Sequence, residues 1–187
     1  MRVFSPQNLG WSQIFFVTLR SFKIKNMNKF LVYLHVEPYM KQWLIHSFGN
    51  PVEFPASSNE NAVIRRFTQK QPTNLKPELP SADEIAICIP ACKYKNPATY
   101  NYLSHQAKKA LTESISDLFR INMWNDLGDL SDTSCKKMSA FRSWCTMHGI
   151  DVEYAETVRM KWYRMRKSYQ NRGVNLFNHK RCRNNEF

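Results

Sequence analysis

Residues 141–169 read FRSWCTMHGIDVEYAETVRMKWYRMRKSY, and this stretch decides how the second half of the chain is built. Phe141, Trp144 and either Cys145 or His148 fall on one face of a helix. Gly149 is placed to end that helix, because glycine supplies the left-handed conformation in which a chain reverses tightly. Beyond Asp151-Val-Glu-Tyr, the residues Ala155, Val158, Trp162, Met165 and Tyr169 recur at spacings of three and four. At 100° per residue these five span about 80° of arc. Arg159, Lys161, Arg164, Arg166 and Lys167 all lie outside that arc. The segment therefore predicts two helices, over about 134–148 and 154–171, the second burying one stripe and presenting cations elsewhere.

Working back toward the N-terminus, residues 100–127 predict the longest helix, with Leu103, Ala107, Leu111, Ile115, Leu118 and Phe119 along one stripe. Gly128 and the polar residues after it break it. Upstream, residues 29–37 alternate as a strand, with Phe30, Val32, Leu34 and Val36 on one face and Leu31, Tyr33 and His35 on the other. Pro38 suits the first position of a helix that carries Met40, Trp43, Leu44 and Phe48 and stops at Gly49-Asn50-Pro51. Ser57-Ser-Asn-Glu60 reads as a helix start, with Ala62, Ile64 (or Val63) and Phe67 as its apolar positions. Three prolines mark residues 71–80 as a loop, and residues 84–90 form a second strand apolar enough for burial on both faces. The fold class is α+β, with a small sheet and helices in the N-terminal half and a three-helix C-terminal module. We divide the chain into an extension over 1–26, an α/β part over 27–99, a helical part over 100–172 and a basic tail over 173–187. Residues 1–26 fit neither a signal peptide nor an interfacial helix. We expect them to be a disordered extension, or translation from upstream of a start at Met27.

Charge is unevenly held. The chain carries a net +12. Residues 27–158 hold 14 basic and 14 acidic groups, whereas residues 159–187 hold nine basic groups against Glu186 alone. Charge concentrated in one segment is the footprint of a polyanion-binding surface. No run approaches the 18 or so apolar residues of a membrane span. Five scattered cysteines suggest no disulfide framework, so a reduced, cytoplasmic protein is expected.

Cys145, Gly149 and Ala155 stand at the spacings of small residue, glycine and apolar residue found in bacterial helix-turn-helix proteins, and residues 136–171 resemble that family. The resemblance implies that the second helix enters a DNA major groove. Base contacts would then come from its start, where Glu156, Thr157, Arg159, Met160 and Lys161 stand. Arg164, Lys167 and Arg172 would contact phosphates, with Arg166 on the same cationic surface. Lys180, Arg181 and Arg183 would add salt-sensitive contact from the tail. The two acids of residues 151–154 depart from the family's pattern, because they would repel a phosphate facing them. In compact length and lack of enzyme motifs the chain is also similar to accessory proteins of bacterial phages and mobile elements.

The function expected is non-catalytic nucleic-acid binding, DNA favoured, in a regulatory or accessory role, with a possible homodimer and no membrane partner. RNA remains open as the polyanion. No cofactor or metal is expected. Cys88, Cys92, Cys145 and His148 could be written as a zinc set, but a cysteine in an apolar strand is usually a small core residue. No glycine loop for phosphate is present. Two other classes stay in view. One is a protein-interaction module that meets an acidic partner; the other is a metal-dependent nuclease using Asp126, Asp129 and Asp132.

Overall fold

The computed structural model describes residues 29–76, 79–128 and 137–173. The chain divides into residues 1–30 and 31–187, and all the helices and strands described belong to the second unit. Their order is β1 (Leu31–His35), α1 (Pro38–Phe48), α2 (Asn59–Phe67), β2 (Glu84–Cys88), α3 (His105–Leu127), α4 (Lys137–Met147) and α5 (Ala155–Asn171), with a 3-10 turn at Val152–Tyr154 before α5. The fold is α+β.

β1 and β2 pair antiparallel, Leu31 opposite Cys88 and His35 opposite Glu84. Val52 bridges the far edge of β2, donating to Ala86 O at 2.8 Å and accepting from Cys88 N at 2.9 Å. The alternation predicted for β1 holds from Val32 onward, with Val32, Leu34 and Val36 buried and His35 exposed, but Phe30, predicted on the buried face, precedes the strand and is exposed. β2 is less enclosed than its composition predicts, with Ile85 and Ile87 buried and Ala86 half-buried. α1 begins at Pro38 and buries Tyr39, Met40, Trp43 and Leu44.

α2 starts where predicted, the Ser58 hydroxyl accepting from Asn61 N at 3.1 Å. Its buried face is the predicted one only at Ile64. Ala62 and Phe67 are exposed, while Glu60, Asn61 and Ile64 are buried. Polar bonds fix this rotation. Asn61 donates to Phe54 O and Pro55 O at 2.9 and 2.8 Å, and Ser114 of α3 donates to Glu60 Oε1 at 2.9 Å. A buried polar group must be paired, so these bonds override the apolar pattern.

α3 starts five residues later than predicted, capped by Ser104. The reason is backbone pairing: Tyr102 and Gln69 exchange two N–H to O bonds of 2.9 and 3.1 Å, which commits Tyr102 to a bridge in place of a helical turn. Within α3, Ala107, Leu111, Ile115, Phe119, Met123 and Leu127 are all buried. A strict spacing of four advances about 40° per step around a 3.6-residue helix, so this stripe turns about 200° from end to end. The early part faces α2 through Ser114. The later part faces α1, α4 and α5 through Phe119, Trp124 and Asp126, so one helix supports both halves of the unit. Phe119 meets Tyr39, Trp43 and Trp144 at ring-centroid distances of 5.5, 5.2 and 5.7 Å.

In the C-terminal module Phe141, Trp144 and Cys145 of α4 and Ala155, Val158 and Trp162 of α5 are buried. Trp162 packs edge-on against Phe141 and stacks on Trp124. Gly149 has φ +67°, and a Cβ there would lie 2.7 Å from the His46 side chain of α1. Gly149→Ala therefore meets both the left-handed penalty and a steric one. It is expected to cost about 2 kcal/mol or more of stability in urea unfolding, and a wild-type midpoint would show that the turn is not seated against α1.

Candidate nucleic-acid interface

The turn between α4 and α5 is fastened to α1. Gln42 Oε1 accepts from Asp151 N at 2.8 Å, and Gln42 Nε2 donates to the Asp151 carboxylate. Ile150 is buried beside it. Asp151 is thereby committed to α1, which gives one of the two inter-helix acids a structural duty. Cys145 and Ala155 are fully buried and Gly149 is left-handed, so the three residues that carry the helix-turn-helix resemblance occupy a packed turn. Burial pushes the Cys145 thiol up to about 11, which suits a core residue rather than a thiolate ligand.

The start of α5, where the resemblance puts base contacts, is electrostatically occupied. Arg159 donates from Nε to Glu156 Oε2 at 2.8 Å and lies over the Tyr163 ring at 5.4 Å. Lys161 turns back to α1, its Nζ 3.2 Å from Glu37 Oε2 and 5.0 Å from the Tyr39 ring centroid. Thr157 and Met160 are exposed, next to exposed Asp151, Glu153 and Glu156. The first turns of α5 thus set three acids near two cations that already have partners.

The second half of α5 differs. Arg164, Lys167 and Arg172 are exposed, Arg166 is half-buried with its guanidinium 5.4 Å from the Trp162 ring, and no acid occurs between Glu156 and Arg172. Lys161, Arg164, Ser168 and Arg172 fall within about 80° of arc on α5. That strip faces α3 across a groove of about 850 Å³. α3 contributes Asp117, Arg120, Ile121, Trp124 and Asn125, and α5 adds Met165 and Tyr169. The buried stripe predicted on α5 fades at this point: Trp162 is fully buried, Met165 half-buried and Tyr169 40% exposed. Its outer members form an apolar floor, flanked on α5 by Lys161, Arg164 and Arg172 and on α3 by Arg120 and Asp117. Arg120 pairs with Asp117 at 2.7 Å. Among the described residues neither Arg164 nor Arg172 is held in an ion pair.

The structure therefore brings Lys161, Arg164 and Arg172 to one groove and sets Arg159 and Arg166 on the opposite flank of the buried stripe. Arg120 joins the groove from α3. Sequence reading missed it because its helix is close to neutral overall; its position on the Trp124 side of α3 was the available signal. Lys180, Arg181 and Arg183 lie outside the described residues, as do Asp129, Asp132 and residues 1–26.

Of the three acids considered for a metal, Asp126 alone lies within the described residues. Asp126 accepts from Trp144 Nε1 at 2.9 Å and lies 3.0 Å from His148 Nε2, so it ties α3 to α4. Among the described residues no group of three or more His, Cys, Asp or Glu side chains could hold a metal ion. Among them, too, no helix is long and apolar enough to cross a membrane. Compared with protein-family models, with curated proteins and with solved structures, the chain matches none of them.

The tie between Lys161 and Glu37 has a pH signature. Burial raises the Glu37 carboxyl, but the Tyr39 hydroxyl and Lys161 ammonium beside it outweigh this and hold it below the usual carboxylate range. A depressed folded-state pKa stabilises above the unfolded value and loses that contribution as pH falls through the folded one. In Lys161→Gln the stability deficit relative to wild type is expected to be largest near neutral pH and to shrink as pH drops below about 4. A deficit that does not change with pH would mean that the pair carries no such linkage.

Proposed function

We propose that the chain binds nucleic acid without catalysis, in a regulatory or accessory role, docking through the second half of α5 and the groove it forms with α3. One observation carries the reading: Arg164, Lys167 and Arg172 are exposed with no acid after Glu156 on their helix, and Arg164 and Arg172 line a groove that holds Trp124 and Tyr169. Phosphates are the polyanion such spacing suits, because cations on successive helical turns follow a charged backbone. DNA is the favoured form, from the helix-turn-helix resemblance of residues 136–171. The occupied start of α5 argues for backbone docking over base reading, with Thr157 and Met160 as the base-facing positions left exposed. The five cysteines are scattered along the chain in no disulfide pattern, which favours a reducing cytoplasm.

Fluorescence anisotropy with labelled duplex DNA tests the proposal. With four to six phosphates neutralised, the log–log salt slope between about 50 and 200 mM is expected to be roughly −4 to −5. Arg164→Ala and Arg172→Ala should each flatten it by about one unit. Folded protein that binds no duplex at about 50 mM salt would overturn the proposal. Binding to an acidic protein instead would show no dependence on DNA length.

A further inference from the structure

The near-neutral middle of the chain hides a second cationic surface. Residues 61–77 contain Arg65, Arg66, Lys70 and Lys76 and no acid, and residues 85–112 contain Lys93, Lys95, Lys108 and Lys109 and no acid. The fold joins the two stretches. Gln69 and Tyr102 pair through their backbones. Lys95 Nζ donates to the carbonyls of Arg65, Arg66 and Thr68 at 2.8, 3.0 and 2.8 Å, clamping the 91–99 loop onto the end of α2. All three ammonium protons are used, so Lys95 is a structural clasp. Around it, three cations lie against aromatic rings: Arg66 on Phe67 at 5.6 Å, Lys70 on Tyr100 at 5.7 Å and Lys93 on Tyr94 at 6.0 Å. Phe67 is exposed and Tyr94 is 85% exposed.

Such rings gain nothing by facing water. Exposed rings set among cations are the combination that binds single-stranded nucleic acid, bases stacking on the rings while ammonium and guanidinium groups follow the phosphates. Paired bases inside a duplex offer no free face to stack. We propose that the surface formed by the end of α2 and the 91–102 loop is a second nucleic-acid contact that takes unpaired bases, with Tyr94 as the stacking platform and Arg66, Lys70 and Lys93 as phosphate contacts. This rests on the nucleic-acid reading of the chain but on none of the residues of α5.

The full chain is titrated with a labelled oligothymidylate and with a labelled blunt duplex, as wild type, Tyr94→Ala, Lys70→Ala/Lys93→Ala, and Arg164→Ala/Arg172→Ala. Tyr94 is exposed in a loop, so its removal leaves the core intact; circular dichroism of each variant checks this. Tyr94→Ala is expected to weaken single-strand binding at least about fivefold, the low end of one base-stacking contact, and to leave duplex binding unchanged. The Lys70/Lys93 pair should lower the single-strand salt slope by about 1.4. Wild-type single-strand affinity and slope in both loop variants would overturn the inference, and so would equal losses on both nucleic acids. If the α5 variant still loses duplex affinity in either case, the proposed function stands without the second surface. No binding of either nucleic acid by the wild type removes both.

Discussion

The Phe119 ring is the contact on which the rest of the unit depends. It is 1% exposed and sits among Tyr39 and Trp43 of α1 and Trp144 of α4. Edge-on and tilted aromatic pairs of this kind add to the burial of their large surfaces. Because Phe119 lies midway along α3, it fixes where α1 and α4 can stand on that helix. α1 then receives the turn after α4 through Gln42 and His46, and the turn sets the start of α5. Where the cations of α5 point is thus decided by packing far from any of them. Trp124, about a turn and a half further along α3, stacks on Trp162 and holds α5 close enough to shape the groove.

This arrangement moves charge as well as mass. Seating the turn on α1 engages Asp151 with Gln42 and Lys161 with Glu37, and Glu156 engages Arg159. What remains uncompensated is the far half of α5, where Arg164, Lys167 and Arg172 face solvent or the groove. Ion pairs at a surface contribute little to stability, so these pairs matter mainly for what they leave over. A phosphate backbone approaching α5 meets acids at its start and cations at its end. The same logic applies at the other end of α3, where Lys95 spends its charge on backbone carbonyls, and Arg66, Lys70 and Lys93 lie against exposed Phe67, half-buried Tyr100 and exposed Tyr94.

Much of this is readable in the chain. Apolar periodicity places β1, α1, α4 and α5 and their buried faces, and Gly149 reads correctly as the left-handed turn residue because only its backbone freedom fits there. Of the apolar positions of α2, Ile64 is buried but Ala62 and Phe67 are not, because polar bonds from Asn61 and Glu60, whose partners include α3, choose which side turns inward. The start of α3 is misplaced by periodicity because the Gln69–Tyr102 pairing that takes Tyr102 out of the helix leaves no local mark. Charge counted along the sequence locates the C-terminal excess but cannot say which cations are already paired. It also averages away the middle surface, where acid-free stretches 61–77 and 85–112 are cancelled on paper by the other acids of residues 27–158.

The most direct measurement is photo-crosslinking of the full chain to an oligonucleotide carrying a photoreactive base, with mapping of the attached peptides by mass spectrometry. Crosslinks are expected in two regions: around Trp124 and residues 164–172 on a duplex with a single-stranded overhang, and around Tyr94 when the reactive base lies in the overhang. Crosslinks confined to the start of α5 at Thr157 and Met160, or to the sheet face of β1 and β2, would contradict both assignments.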